Sequence, residues 1–194
     1  MSTLPGSHLW YDWGGLNHRL FLWINHAGSG WTWDHLAAWG ALAGDHRHYP
    51  LWAALALALA LKRPALLSPR AVLCLLVAYL VDALFVGSIK AWLDMPRPLM
   101  VLGPAAVHVI GPPLLWRSFP SGHSAFAFSV MASLSPGAHW ALRGLLVVFA
   151  LWVAWSRIAV GAHFPVDVLG GALIGVASAW LASRTLDLAG YARR

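Results

Sequence analysis

Lys90, Arg97, Ser121, Gly122, His123, Arg157, His163 and Asp167 are the residues of this chain whose types and spacing can do chemistry. They fall in three short stretches: Lys90-Ala-Trp-Leu-Asp-Met-Pro-Arg97-Pro98, Pro120-Ser-Gly-His123, and Ser156-Arg157 followed by His163 and Asp167. Three fixed cations, two histidines and one carboxylate thus stand at the ends of apolar segments, in a chain where only 10% of residues are charged. Cleavage of a phosphoester at a membrane surface needs that combination.

Each stretch has a separable chemical reading. Three cations converging on one anion would neutralise it and stabilise the added charge of a five-coordinate transition state. The guanidiniums of Arg97 and Arg157 suit bidentate contact with phosphoryl oxygens; as single residues, all three cations would pass for ordinary charges flanking a membrane span. Ser121 is a natural helix N-cap, Gly122 lets backbone come close to a ligand, and free N–H groups at a helix start bind anions. His123, one turn in, is placed to protonate a leaving oxygen; alone, this stretch would be a capping turn. His163 precedes Phe164-Pro165, where a helix can begin. Asp167, four residues on, can reach that imidazole and hold its tautomer. The other ring nitrogen is then free to attack phosphorus and form a phosphohistidine. A lone His–Asp pair would more often be structural or half of a metal site, but no third ligand is evident and the cations would repel a metal.

The elements that must position these groups are apolar. The 194 residues are 59% hydrophobic, against the roughly one quarter charged residues of a soluble domain. Apolar blocks at 51–61, 71–89, 145–155 and 166–182 read as membrane-spanning helices. The expected fold is all-α, one domain over residues 1–194, a polytopic bundle with spans at about 47–62, 70–92, 121–135, 140–156 and 165–184. A sixth, at about 18–43, is interrupted by Gly28-Ser-Gly30 and carries Asp34 and His35, so it reads equally as a broken or interfacial helix. The helix from Ser121 spans about 22 Å, short of the hydrocarbon thickness, so its site end is expected to dip below the surface.

The net charge of +6 is not gathered into a nucleic-acid stripe. Lys62, Arg63 and Arg70, then Arg143, then Arg184, Arg193 and Arg194 mark cytoplasmic loops, which puts all three signature stretches on the opposite, extracytoplasmic side. Most of the 13 tryptophans read as interfacial anchors. Cys74, the single cysteine, excludes an intrachain disulfide and two-cysteine metal motifs. The first residues lack the charged start and apolar core of a cleavable signal peptide.

Taken jointly, Lys-x6-Arg-Pro, Pro-Ser-Gly-His and Ser-Arg-x5-His-x3-Asp, complete and in order over residues 90–167, resemble the type 2 phosphatidic acid phosphatase superfamily. That group includes membrane lipid phosphatases, soluble bacterial acid phosphatases and vanadium haloperoxidases. The resemblance implies a metal- and cofactor-independent, two-step hydrolysis on an all-helical bundle, with six spans in the bacterial membrane members. His163 would be the nucleophile, Asp167 its orienting partner, and His123 the acid for the leaving group and later the base for water. Lys90, Arg97, Ser121, Gly122 and Arg157 would bind the phosphoryl group. It also implies a phosphorylated lipid as substrate, the bilayer as surroundings, a bacterial inner membrane with the site facing the periplasm or exterior, and no nucleic-acid or obligate protein partner.

The substrate reading is undecaprenyl diphosphate, since Phe21-Leu-Trp-Ile-Asn-His26 followed by Asp34 resembles the small undecaprenyl-diphosphate phosphatases. Phosphatidylglycerophosphate, phosphatidic acid and lipid A are the alternatives. The apolar stretch 99–119 is expected in the interface, either admitting the lipid or capping helix ends, with His108 and Arg117 near a second phosphate or in solvent. Asp82, the one acid in mid-span, is about 12 Å from Lys90 along a helix and reads as a hydrogen-bonded or protonated structural group. A transporter or scaffold would instead place its polar residues near the bilayer midplane.

Overall fold

A computed structural model describes residues 9–28 and 30–191. Arg193, Arg194 and the first eight residues, on which the charge and signal-peptide readings partly rest, lie outside them. The described residues form helices and no strand. They are α1 (Leu9–Asp12), α2 (Leu16–Asn25), α3 (Trp31–Ala43), a 3-10 turn (His46–His48), α4 (Tyr49–Lys62), α5 (Pro69–Leu93), α6 (Pro98–Leu102), α7 (Gly122–Leu134), α8 (Trp140–Ala159) and α9 (Pro165–Leu188).

Three stretches are long and apolar enough to cross a membrane: Pro69–Leu102, Trp140–Ala159 and Pro165–Leu188. The other expected spans are shorter. At 13 residues α7 rises only about 20 Å, and α4 with 14 residues about 21 Å. The doubtful 18–43 segment holds two helices, α2 ending at Asn25 and α3 beginning at Trp31.

α3 and α4 are best understood together. Gly40 of α3 abuts Ser156 of α8 and Gly44 abuts Val153, while Trp52 of α4 packs on Phe149. α3 thus runs antiparallel to the end of α8, while α4 packs chiefly against α5, with Tyr49 stacked on Tyr79. The chain breaks between them at Asp45, whose carboxylate accepts from the Arg47 amide at 2.9 Å, and Trp52 Nε1 donates across the break to the Ala43 carbonyl. This break falls beside the site, and α4 follows it over most of the span expected at 47–62.

Local chemistry sets the ends of the long helices. Ser68 caps α5, its Oγ accepting from Ala71 N, and Pro69 opens the first turn. Ser121 caps α7 in the same way, and Pro165 opens α9. The closest approach is between α7 and α9. A Cβ at Gly171 would collide with the Ser121 carbonyl, and one at Gly175 with the Ala125 carbonyl. This pair of glycines four apart lets two backbones meet without intervening side chains, and it ties the start of α7 to the start of α9 through a 2.9 Å bond from Ser121 N to the Asp167 carbonyl.

Lys62, Arg63, Arg143 and Arg184 lie at the end of the bundle remote from that junction. Arg70 is there too, donating to Asp187 at 2.6 Å and to the Tyr191 carbonyl. The signature stretches share the other end. α2 lies over it, with buried Asn17, Phe21 and Asn25 at i, i+4 and i+8 on its inner face.

Candidate active site

α5 delivers Lys90 at its last turn, α7 delivers Gly122 and His123 at its first, α8 ends with Arg157, and His163 sits in the tight turn before α9. Together with Arg97 they line one cavity of about 380 Å³. Five segments distant in sequence thus converge, because four helix ends meet at one face of the bundle.

The cations are held by backbone carbonyls. Arg97 donates through Nε to the Trp116 carbonyl at 2.8 Å and through Nη1 to the Ala162 carbonyl at 3.0 Å. Lys90 Nζ donates to the Arg117 carbonyl at 2.6 Å. Segment 115–118, which the sequence reading treated only as part of an interfacial stretch, is therefore the frame for two of the signature cations. Arg157 is 6% exposed, and its buried Nε has no hydrogen-bond partner. A guanidinium desolvated to that degree with an idle donor is primed for an anion.

His163 is buried between the cations and a carboxylate. Its Nε2 lies 3.4 Å from Arg97 Nη1, which can only donate, so this nitrogen carries the lone pair and faces the anion cavity. Nδ1 lies 3.4 Å from Asp167 Oδ2, a long contact that leaves Nδ1 without a close partner. Burial first, and then the charges of Arg97, Lys90 and Arg157, push the imidazole well below its ordinary value of 6.5. That environment favours the neutral imidazole, the form with a lone pair to offer.

Asp167 is fully buried behind His163 and does not reach the cavity. It accepts from Tyr11 Oη at 2.8 Å, Ser118 Oγ at 2.5 Å and the Phe164 amide at 2.8 Å. Ser121 is also fully buried; its Oγ takes hydrogen bonds from the Ser124 amide and hydroxyl and does not line the cavity, so its place is that of a cap. Gly122 does line it, its backbone half-buried at the start of α7.

Residues not singled out from the sequence complete the site. His46, from the α3–α4 break, joins the cavity wall, and a second cavity of about 340 Å³ shares His123, Arg157 and Leu114 and adds Asp45 and Arg47. Their only sequence signal was the charged run Asp45-His-Arg-His48 between apolar blocks. Asp82 lines the deep end of the first cavity beside Ser129 and Ser178. His108 pairs with Asp34 at 3.2 Å, while Arg117 stands exposed at 3.9 Å from Asp94. The 99–119 stretch contributes Leu99, Val109, Ile110 and Leu114 to the second cavity, so it wraps the site.

Known proteins carry the same arrangement. BcrC, an undecaprenyl-diphosphatase of Bacillus subtilis, is 34% identical over 96 residues, 48% of this chain and 46% of the relative. A lipid A 1-phosphatase of Rhizobium johnstonii is 37% identical over 73 residues, 36% of this chain and 27% of the relative. The chain thus spans less than half the length of these curated relatives. The crystal structure of Aquifex aeolicus LpxE superposes with a TM-score of 0.75 at 32% identity, covering 87% of this chain and 95% of that one. The model of the PAP2 superfamily matches residues 71–190, which hold every signature residue. With that match across well over half its length, and with the signature side chains gathered at one end of a helical bundle, the chain belongs to the PAP2 superfamily.

Proposed function

We propose that this protein removes a phosphoryl group from a lipid headgroup at the extracytoplasmic face of a bacterial inner membrane, with undecaprenyl diphosphate as its substrate. The observation that carries the reading is His163: a neutral imidazole whose Nε2 faces a cavity walled by Lys90, Arg97 and Arg157. In the first step Nε2 attacks phosphorus, the P–O bond to the leaving group breaks, and His123 gives that oxygen a proton. In the second, His123 takes a proton from water, whose oxygen attacks phosphorus as the N–P bond to His163 breaks, releasing orthophosphate and the free imidazole. The cations supply the charge stabilisation that a metal supplies elsewhere, so the reaction proceeds without one. The broken α3–α4 pair and α7 complete the membrane bundle beside the three long helices. The charge bias supports the outward-facing site, because Lys62, Arg63, Arg143 and Arg184 all lie at the opposite end. Phosphatidylglycerophosphate, phosphatidic acid and lipid A are the alternative substrates.

The test is phosphate release by purified protein in detergent with chelator, from each of these four lipids. Chelator-resistant release that favours the diphosphate supports the reading. Preference for another lipid replaces the substrate, and release only with added divalent metal refutes the metal-free mechanism.

The cavity also has an arm that is apolar but for Asp82. From Lys90 it follows α5 past Gly87, Val86, Ala83 and Asp82 to Tyr79, about 16 Å, facing Ala125 and Phe126 of α7. This arm suits the first segment of a lipid chain. A Cβ at Gly87 meets nothing within 4 Å, so Gly87→Leu fills the arm without straining the helix. The ratio of kcat/KM for the lipid to that for a water-soluble aryl phosphate is expected to fall about tenfold or more. An unchanged ratio would place the chain elsewhere.

A further inference from the structure

The N-terminal segment lies outside residues 71–190, the part matched by the family, yet it makes buried polar contacts to the site. Tyr11 is 0% exposed, and its ring packs edge-on against Phe164 and Phe119. Its hydroxyl donates to Asp167 Oδ1 at 2.8 Å, while Ser118 and the Phe164 amide serve Oδ2, the oxygen that faces His163. Burial first, and then the Asp167 charge, push the phenol far above its ordinary range, so it remains a donor at any working pH.

Two asparagines seat this segment. Asn17 Nδ2 donates to the Tyr11 carbonyl at 2.9 Å and its Oδ1 accepts from the Val166 amide, one residue before Asp167. Asn25 Nδ2 donates to the carbonyls of His108 and Ala159, and its Oδ1 accepts from the His108 amide. A buried asparagine using both ends of its amide fixes what it touches. Asn17 therefore ties Tyr11 to the first turn of α9, and Asn25 ties α2 to the end of α8 and to the 99–119 stretch.

We propose that Tyr11 is a positioning residue for phosphoryl transfer: its hydroxyl occupies Asp167 Oδ1, fixing the carboxylate's rotation so that Oδ2 is aimed at His163 Nδ1. Without that donor Asp167 keeps only the Ser118 and Phe164 bonds, both to Oδ2, and Oδ1 is left unsatisfied; the carboxylate is then less firmly set to close its 3.4 Å separation from His163 Nδ1 when positive charge forms there on attack. Tyr11 touches neither substrate nor the reacting atoms. Its effect therefore belongs to the chemical step and not to lipid binding. The inference rests on the proposed phosphatase reaction at His163.

The variant Tyr11→Phe keeps the ring and removes only the hydroxyl. It is expected to lower kcat roughly ten- to hundredfold with KM within about twofold of wild type. In an Asp167→Asn background the same change is expected to have little further effect, because its target is gone. Asn17→Ala, which loosens the seat of Tyr11 but spares its hydroxyl, should lower kcat in the same direction and keeps the test usable should Tyr11→Phe fail to accumulate folded. Unchanged kcat in these variants, or an equal loss with and without Asp167, would overturn the inference. A wild-type enzyme that releases no phosphate, by contrast, sinks the phosphatase reading itself.

Discussion

His163→Ala is expected to abolish turnover, lowering kcat about ten-thousandfold or more, with the fold retained. Its Nε2 lone pair faces the cavity beside Arg97, and the cations around it cannot substitute for a lone pair. A radiolabelled substrate quenched in alkali, which preserves phosphohistidine, should label the wild type and His123→Ala, where the second step is slowed, but not His163→Ala. Label retained in His163→Ala would identify another nucleophile. The pH dependence follows from the same environment. Only neutral imidazole attacks, and burial among cations lowers its pKa well below 6.5. The acid limb of kcat/KM, once the substrate's own phosphate ionisation is divided out, should therefore lie below pH 6.5. A limb at or above that value would mean that His163 is less shielded than its burial requires.

Arg157→Met is expected to lower kcat/KM about a hundred- to a thousandfold while leaving thermal stability unchanged or raising it. A purely structural arginine would behave in the reverse way. Arg157 is 6% exposed and its Nε is unpartnered, so the folded protein bears a desolvation cost that no internal hydrogen bond at that atom offsets. Methionine fills similar volume without the charge, and about 1 kcal/mol or more of stability can return. The same variant should lose the thermal stabilisation that vanadate, a phosphate mimic, gives the wild type. Lower stability together with retained activity would assign Arg157 to the scaffold.

Arg157 and the two cations beside it are in a common state. Lys90 and Arg97 spend donors on the carbonyls of 116 and 117, which orients their charge without neutralising it. In the proposed reaction the anionic headgroup would be their counter-ion. Like charges brought together by helix packing would then be held in place for the phosphoryl group, a preorganisation that water cannot provide.

The tight α7–α9 contact explains how loop-borne chemistry is kept rigid. Gly171 and Gly175 let the α7 backbone rest against α9, so the capped start of α7 and the turn carrying His163 are packed together. The interruption read at Gly28-Ser-Gly30 falls between the end of α2 at Asn25 and the start of α3 at Trp31.

Much of this protein is legible in its sequence because the relevant signals are local. Long apolar blocks demand helices whose backbone groups bond internally, and α5, α8 and α9 fall within a few residues of the expected 70–92, 140–156 and 165–184. Ser121 and Pro165 announce helix starts by their own capping chemistry. The spacing of the three motifs also named the residues that now line one cavity, with Ser121 and Asp167 set behind its wall. Other features depend on contacts between residues far apart in the chain, which no local pattern encodes. The break at Asp45 comes where the chain passes from α3, packed on α8, to α4, packed chiefly on α5. The carbonyls of 116 and 117 hold Arg97 and Lys90 only because that segment folds back over the site. Tyr11 meets Asp167 across 156 positions of sequence, and a buried hydrogen bond of that span arises from packing alone. Sequence determined which groups could do the chemistry; tertiary structure decided which of them face the substrate and what holds the rest in place, because burial and orientation are properties of the assembled bundle.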